Sequence, residues 1–213
     1  MSMLGTVDLG VFVVAGLILN ITPGADMLYI ASRSAAQGTK AGVIAALGIG
    51  AGCLVHILFA TFGLSVILAS SALAFAVVKY AGAAYLIYLG ITTLLSLRAK
   101  EEVKAETARP LSSGRIFRQA VLINVLNPKV ALFFMALLPQ FVSPQAAHPA
   151  LSFLFLGCLF DFNGTIVNVL FAVFSSKIAS RCRQSSVIGR LGRTAVAGLF
   201  IALGLRLALS SQK

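Results

Sequence analysis

Charge is scarce in this sequence: 11% of its 213 residues are charged, and only six are acidic. That scarcity excludes one soluble domain of this length. The three cysteines, Cys53, Cys158 and Cys182, show no metal-ligand spacing and are read as small packing residues, while two histidines make no ligand cluster. No metal and no cofactor are therefore expected. Paired catalytic acids and a nucleophile elbow are also missing, so the chain is not expected to be an enzyme. The opening MSMLGTVDLG has no positive n-region and carries Asp8 instead, so its first apolar run is expected to remain rather than be cleaved.

What the chain has in abundance is apolar length. Its residues are 59% hydrophobic, with a mean hydropathy of +0.97. About 20 apolar residues at about 1.5 Å each cross a bilayer core of about 30 Å, and six runs of that kind occur. They lie near 7–30, 41–64, 72–95, 116–138, 150–174 and 188–209. The expected fold is an all-α membrane protein of six transmembrane helices, with the lipid bilayer as its surroundings.

The net charge of +11 would suit nucleic acid if it were clustered on one surface, but its placement gives another reading. Thirteen of the seventeen basic residues fall in the first, third and fifth connections or at the run ends beside them, among them Arg33, Lys40, Arg98, Arg109, Arg118, Lys177 and Arg193. The positive-inside rule puts those connections in the cytoplasm and both termini outside. Nucleic acid is not an expected partner.

The charged connection at 98–114 leaves a three-helix unit at 1–97 and another at 115–213. An odd number of spans per half inverts the second half relative to the first. The expected architecture is thus two inverted three-helix repeats with a broken first helix in each. "LNITPGADM" in the first run is answered by "INVLNPKVA" in the fourth, setting Pro23 against Pro128, Thr22 against Asn127, and Asn20 near Asn124. Paired breaks of this kind surround midplane sites in transporters. Proline lacks an N–H, so Pro23 frees the carbonyl of Leu19 and Pro128 that of Asn124. Freed carbonyls, nearby Asn and Thr side chains and the helix N-termini could hold a polar ligand or simply bridge a tolerated kink.

Ionisable residues within apolar runs are costly and tend to mark function. Lys129 and Asp161 both fall near mid-span, close enough in depth to meet, whereas Asp26 lies nearer the cytoplasmic mouth. Asp161 shares a helical face with Gly157, Gly164, Thr165, Asn168 and Ser175, a stripe that lines either a cavity or a buried network. Ala45, Gly48, Gly52 and His56 share another face suited to close packing. His56 is read as a proton carrier or a packing histidine, and Tyr85, on a face with Ala81, Tyr88 and Thr92, as a solute contact or a packing residue.

These residues resemble the LysE/RhtB family of amino-acid exporters. The likeness rests on "TPGADMLYIASRSAAQGTKAGVIAALGIGAG" at 22–52, "AGAAYLIYLGI" at 81–91 and "NVLNPKVALFFMALLPQFV" at 124–142. Family motifs fall on Thr22, Pro23, Gly24 and Asp26, and on Asn127, Pro128 and Lys129. Ala25 departs from the second proline common there, which leaves the first break less rigid. The resemblance implies a multi-pass protein of the bacterial inner membrane that exports threonine, homoserine, leucine or similar amino acids by proton antiport. The expected solute contacts are Asn20, Thr22, Pro23, Gly24, Tyr85, Asn124, Asn127, Pro128, Lys129 and Asn168; Asp26, Asp161 and His56 are the candidates for proton coupling. A passive channel for small polar solutes is the alternative. Small-residue faces also permit a homodimer.

Overall fold

The computed structural model describes residues 3–22, 24–64 and 110–178, with isolated helical positions at 77, 80, 84, 87, 88, 91 and 205. Five α-helices lie in the continuous stretches: α1 (Leu9–Ile21), α2 (Ala25–Phe59), α3 (Ser113–Val125), α4 (Pro128–Ala136) and α5 (Pro149–Ile178). Short helical turns at Met3–Gly5, Ala60–Leu64 and Leu138–Phe141 complete the order.

The second helix is continuous in assignment but not straight. Gly38 sits at φ 79°, ψ −179°, a conformation open to glycine and strained for other residues. A straight 35-residue helix would be about 52 Å long. Asp26 near its start and His56 near its end nevertheless both contact Asn124. The chain must therefore turn back at Gly38, giving two legs at 25–37 and 39–59. Against that turn, a Cβ on Gly42 would collide with the Ser34 hydroxyl, so the legs come together only because residue 42 has none.

The helix α5 shows how a membrane helix divides its faces. Leu151, Leu154, Phe162, Ile166, Leu170 and Phe174 are exposed, while Ser152, Phe153, Leu156, Phe160, Asn168 and Ala172 are buried. Both faces are largely apolar, as suits a helix with lipid on one side and protein on the other. Glycines set the approach of its neighbours: Gly157 packs under Ile57, and Gly164 under the Asn20 amide.

Two apolar clusters bracket a polar middle. One joins α1, α4, the start of α5 and the last turns of α2; it holds Phe12, Phe133, Phe134, Phe141, Phe153 and Phe160. Its rings meet at 4.7 Å for Phe133 and Phe160 and at 5.2 Å for Phe12 and Phe141. Such aromatic pairs contribute about 0.5–1.5 kcal/mol each beyond area burial. Over this end the N-terminal segment is pinned by Val7 N–H to Phe141 O (2.9 Å) and Ser143 N–H to Gly5 O (2.8 Å). The other cluster is built of small residues, Ala41, Ala45, Ala46, Ala120 and Ala172, with Ile30, Ile49 and Ile116. Gly48 admits Ala120 and the Phe117 backbone, and Gly52 admits Asn124 and the Val121 carbonyl.

The six-helix expectation, two inverted three-helix repeats, is overturned. Among the described residues two helices are long and apolar enough to cross a membrane, Ala25–Gly63 and Pro149–Ser175. A third is reached only by joining Ser113–Val125 to Pro128–Phe141, which are bent by 46°. The reasons are local. The first apolar run is split between Ile21 and Ala25, leaving α1 at 13 residues, too short to cross alone. The connection expected at 33–40 is helical except at Gly38, so the second half of the first run and all of the second run merge into α2. The fourth run is divided at residues 126–127. The runs at 72–95 and 188–209, and most of the charged connection at 98–114, lie outside the described residues.

Candidate solute-binding site

The polar middle is built where α1 and α3 stop. Thr22 closes α1: its N–H reaches Ile18 O and Leu19 O, and its hydroxyl donates to Ile18 O at 2.7 Å. The next helix starts from Gly24, whose backbone is extended and whose position offers no side-chain cap. At the other break Asn127 caps α4, its Oδ1 accepting from Lys129 N–H at 3.0 Å, with Pro128 at the first helical position where its missing N–H costs nothing.

Lys129 joins the two breaks. Its Nζ donates to Leu19 O at 2.7 Å and to Thr22 O at 2.8 Å, so an ammonium from α4 satisfies the end of α1. Leu19 O is the carbonyl that the proline at 23 frees. The reciprocal break is treated in the same way: His56 Nε2 lies 2.9 Å from Asn124 O, the carbonyl freed by Pro128. A carbonyl only accepts, so Nε2 carries the hydrogen. Asn124 then extends the connection, its Nδ2 donating to Asp26 Oδ2 at 3.0 Å.

Between the two breaks lies a cavity lined by Leu19, Asn20, Thr22, Gly24, Asp26, Met27, Asn127, Lys129, Val130 and Asn168. It has room for about one water. Asn20 Nδ2, Asp26 Oδ1 and Asn124 Oδ1 are buried without a hydrogen-bond partner. Buried polar atoms are rarely left so; Asn20 and Asp26 line the cavity, whereas Asn124 lies outside its lining with its Oδ1 beside Gly52.

Of the expected solute contacts, Asn20, Thr22, Gly24, Asn127, Lys129 and Asn168 line this cavity. Asn124 stands behind it, joined through Asp26, and Pro128 is exposed at the α4 terminus. Pro23 and Tyr85 lie outside the described residues. Among the proton-coupling candidates, Asp26 lines the cavity and is the carboxylate whose field acts on Lys129. Asp161 faces another way, within hydrogen-bonding reach of the Cys53 thiol and the Thr165 hydroxyl. An added Cβ on Gly50 would stand 2.6 Å from Thr165 Oγ1 and 3.4 Å from Asp161 Oδ1, so α2 passes close over that group. Depth alone does not bring Asp161 to Lys129.

Sequence reasoning missed several partners. Met27 completes the cavity wall, one residue from Asp26. Cys53, read as packing, is three residues before His56 and sits against Asp161. Gln37 holds the backbone of residue 111 from both sides, donating to Leu111 O at 2.8 Å and accepting from Leu111 N–H at 2.9 Å. Tyr29 donates toward Ile116 O and Gln119 Oε1. The placement of Tyr29 and Gln37 two turns apart on one leg was the available signal.

A polar cleft at two helix breaks, beside helices long enough to cross a membrane, is an arrangement used by membrane transporters. The model of the LysE type translocator family matches residues 17–211, and the chain belongs to that family of amino-acid exporters. It is a multi-pass protein of the inner membrane. It is 31% identical to an uncharacterized membrane protein of Pseudomonas aeruginosa over 99% of both chains. It is 32% identical to a homoserine/homoserine lactone efflux protein of Salmonella typhimurium, over 92% of this chain and 94% of that one. A leucine efflux protein of Salmonella choleraesuis is 29% identical over 96% of each. No solved structure matches.

Proposed function

We propose that the protein exports neutral amino acids from the cytoplasm in exchange for protons, with the cleft between the two helix breaks as the solute site. The observation that carries this reading is the Lys129 ammonium seated on Leu19 O and Thr22 O beside Asp26. A zwitterion has the complementary pair of charges. Its carboxylate would draw Lys129 off the two carbonyls, and its ammonium would take the place vacated there, next to Asp26. The site then holds two positive and two negative charges. A cationic side chain would add an unmatched charge, which favours a neutral amino acid. Relatives named for homoserine and leucine efflux agree with that class.

Proton exchange follows from the same carboxylate. Protonating Asp26 removes the charge that holds the solute's ammonium, and losing the proton restores it, so proton and solute compete for one group. Asp161, apart from the cavity and without Lys129, is the second coupling candidate. The cavity is too small for any amino acid as it stands, which supports a contracted state of an alternating carrier over a passive pore. In this reading the basic connections face the cytoplasm and both termini face outward.

Purified protein in proteoliposomes, loaded with a panel of amino acids and given an imposed pH gradient, tests the reading. Uphill movement of at least one neutral amino acid, abolished when the gradient is collapsed, is expected. Movement only down the solute gradient would establish the passive channel instead. Wild-type coupling in both Asp26→Asn and Asp161→Asn would remove both acids from the mechanism.

A further inference from the structure

His56 is a buried ring near the end of the second leg of α2. We infer that His56 is a positioning residue for Asp26, acting through Asn124, rather than a carrier of the exchanged proton; this rests on Asp26 belonging to the solute site.

Three observations place it. His56 Nε2 donates to the backbone carbonyl of Asn124 at 2.9 Å, and the Asn124 side chain donates to Asp26 Oδ2 at 3.0 Å. His56 and Asp26 lie on opposite legs of α2, so Asn124 is the bridge through which the second leg fixes the first. The ring is buried, at 8% exposure, and packs beside Phe134 with centroids 6.0 Å apart. That wall is the aromatic cluster, not the cavity, and His56 is absent from the cavity lining.

Mechanics explain why a donor is needed there. Pro128 leaves Asn124 O without its i+4 amide, and the backbone bonds to it come from the turn itself, from Leu126 N–H and from Asn127 N–H at 2.9 Å. The imidazole N–H adds the bond that comes from another helix and so fixes the last turn of α3 against α2, hence the direction in which Asn124 aims its amide. Gly52, one turn before His56, lets that turn approach, since a Cβ there would be 2.8 Å from Asn124 Cβ. Small Gly and donor His on one face therefore serve one contact. Asp26 on the other leg is near enough for its charge and the ring to act on each other; Asn124 from α3 and Phe134 from α4, which touch the ring, are uncharged.

A positioning role and a proton-carrying role separate in His56→Gln, which retains an N–H donor and cannot titrate. Transport is measured in proteoliposomes for wild type, His56→Gln, His56→Ala and Asn124→Ala, with KM, maximal rate and the pH profile recorded for each. The inference expects His56→Gln to keep pH-driven uphill export and the wild-type pH profile. His56→Ala should raise KM about five- to tenfold, the worth of one buried hydrogen bond. Asn124→Ala should do the same, and the double variant His56→Ala/Asn124→Ala should be no worse than Asn124→Ala alone. Loss of uphill export in His56→Gln with solute exchange intact would make His56 the proton carrier and overturn the inference, as would additive losses in the double variant. Should His56→Ala fail to fold, His56→Gln and Asn124→Ala decide the matter. A wild type that moves no amino acid would sink the exporter reading itself, and the inference with it.

Discussion

The two helix breaks begin from the same defect and are repaired differently. At 126–127 the repair is mostly local: Asn127 caps α4, Asn127 N–H returns to Asn124 O, and His56 adds one donor from a packed helix. At 22–24 the chain offers no side-chain cap to α2, and the open end of α1 is held by an ammonium borrowed from the other break. A cap that is a fixed part of the fold makes a rigid end. A cap that is a charge on a four-carbon stem can leave when a better partner arrives. Under the proposed function, the difference gives the second break a framework role and the first a part in exchange.

Lys129→Met breaks the comparison at its weakest point and should have the largest effect. It removes two charge-assisted bonds worth roughly 1.5–3 kcal/mol each, so export measured in proteoliposomes should fall by at least about a hundredfold. Gly52→Ala attacks the framework instead. Its Cβ would lie 2.8 Å from the Val121 carbonyl, and backbone must move to admit it. A loss of about 1–3 kcal/mol is expected, read as a lower unfolding midpoint in detergent. Asn127→Ala removes the α4 cap and should cost about 1 kcal/mol by the same measurement, with export reduced less than in Lys129→Met.

The smallest change sharpens the contrast by making the first break resemble the second. Gly24→Ser would give α2 a capping hydroxyl; the backbone is extended there, and a Cβ would stand 3.6 Å from Lys129 Cδ and Nζ, an ordinary contact. A gain of a few tenths of a kcal/mol in stability is expected, with a slower maximal rate. Equal or faster export would show that the missing cap has no part in exchange.

Composition made the membrane legible, and motif position made the breaks legible. Both prolines were read as freeing particular carbonyls, Leu19 and Asn124, and both carbonyls are found with long-range partners. The face of Gly48, Gly52 and His56 was visible as a packing surface for the same reason: helical spacing is local information. The helix count was not legible, because apolar length does not say where a run will split or merge. Thr22–Gly24 splits one run, and Gly38 turns the chain with helix on both sides of it, leaving no loop. Nor could depth along separate helices say which acid meets Lys129. Asp26 and Asp161 differ by which helix face turns inward and by what packs opposite, and that is tertiary information.

Equilibrium binding of a neutral amino acid to the purified protein in nanodiscs, wild type against Lys129→Met, tests the shared cap most directly. The account predicts saturable binding by the wild type and at least about a hundredfold weaker binding by the variant. Equal affinities would contradict it, because the ammonium that holds the first break would then have no part in holding the solute.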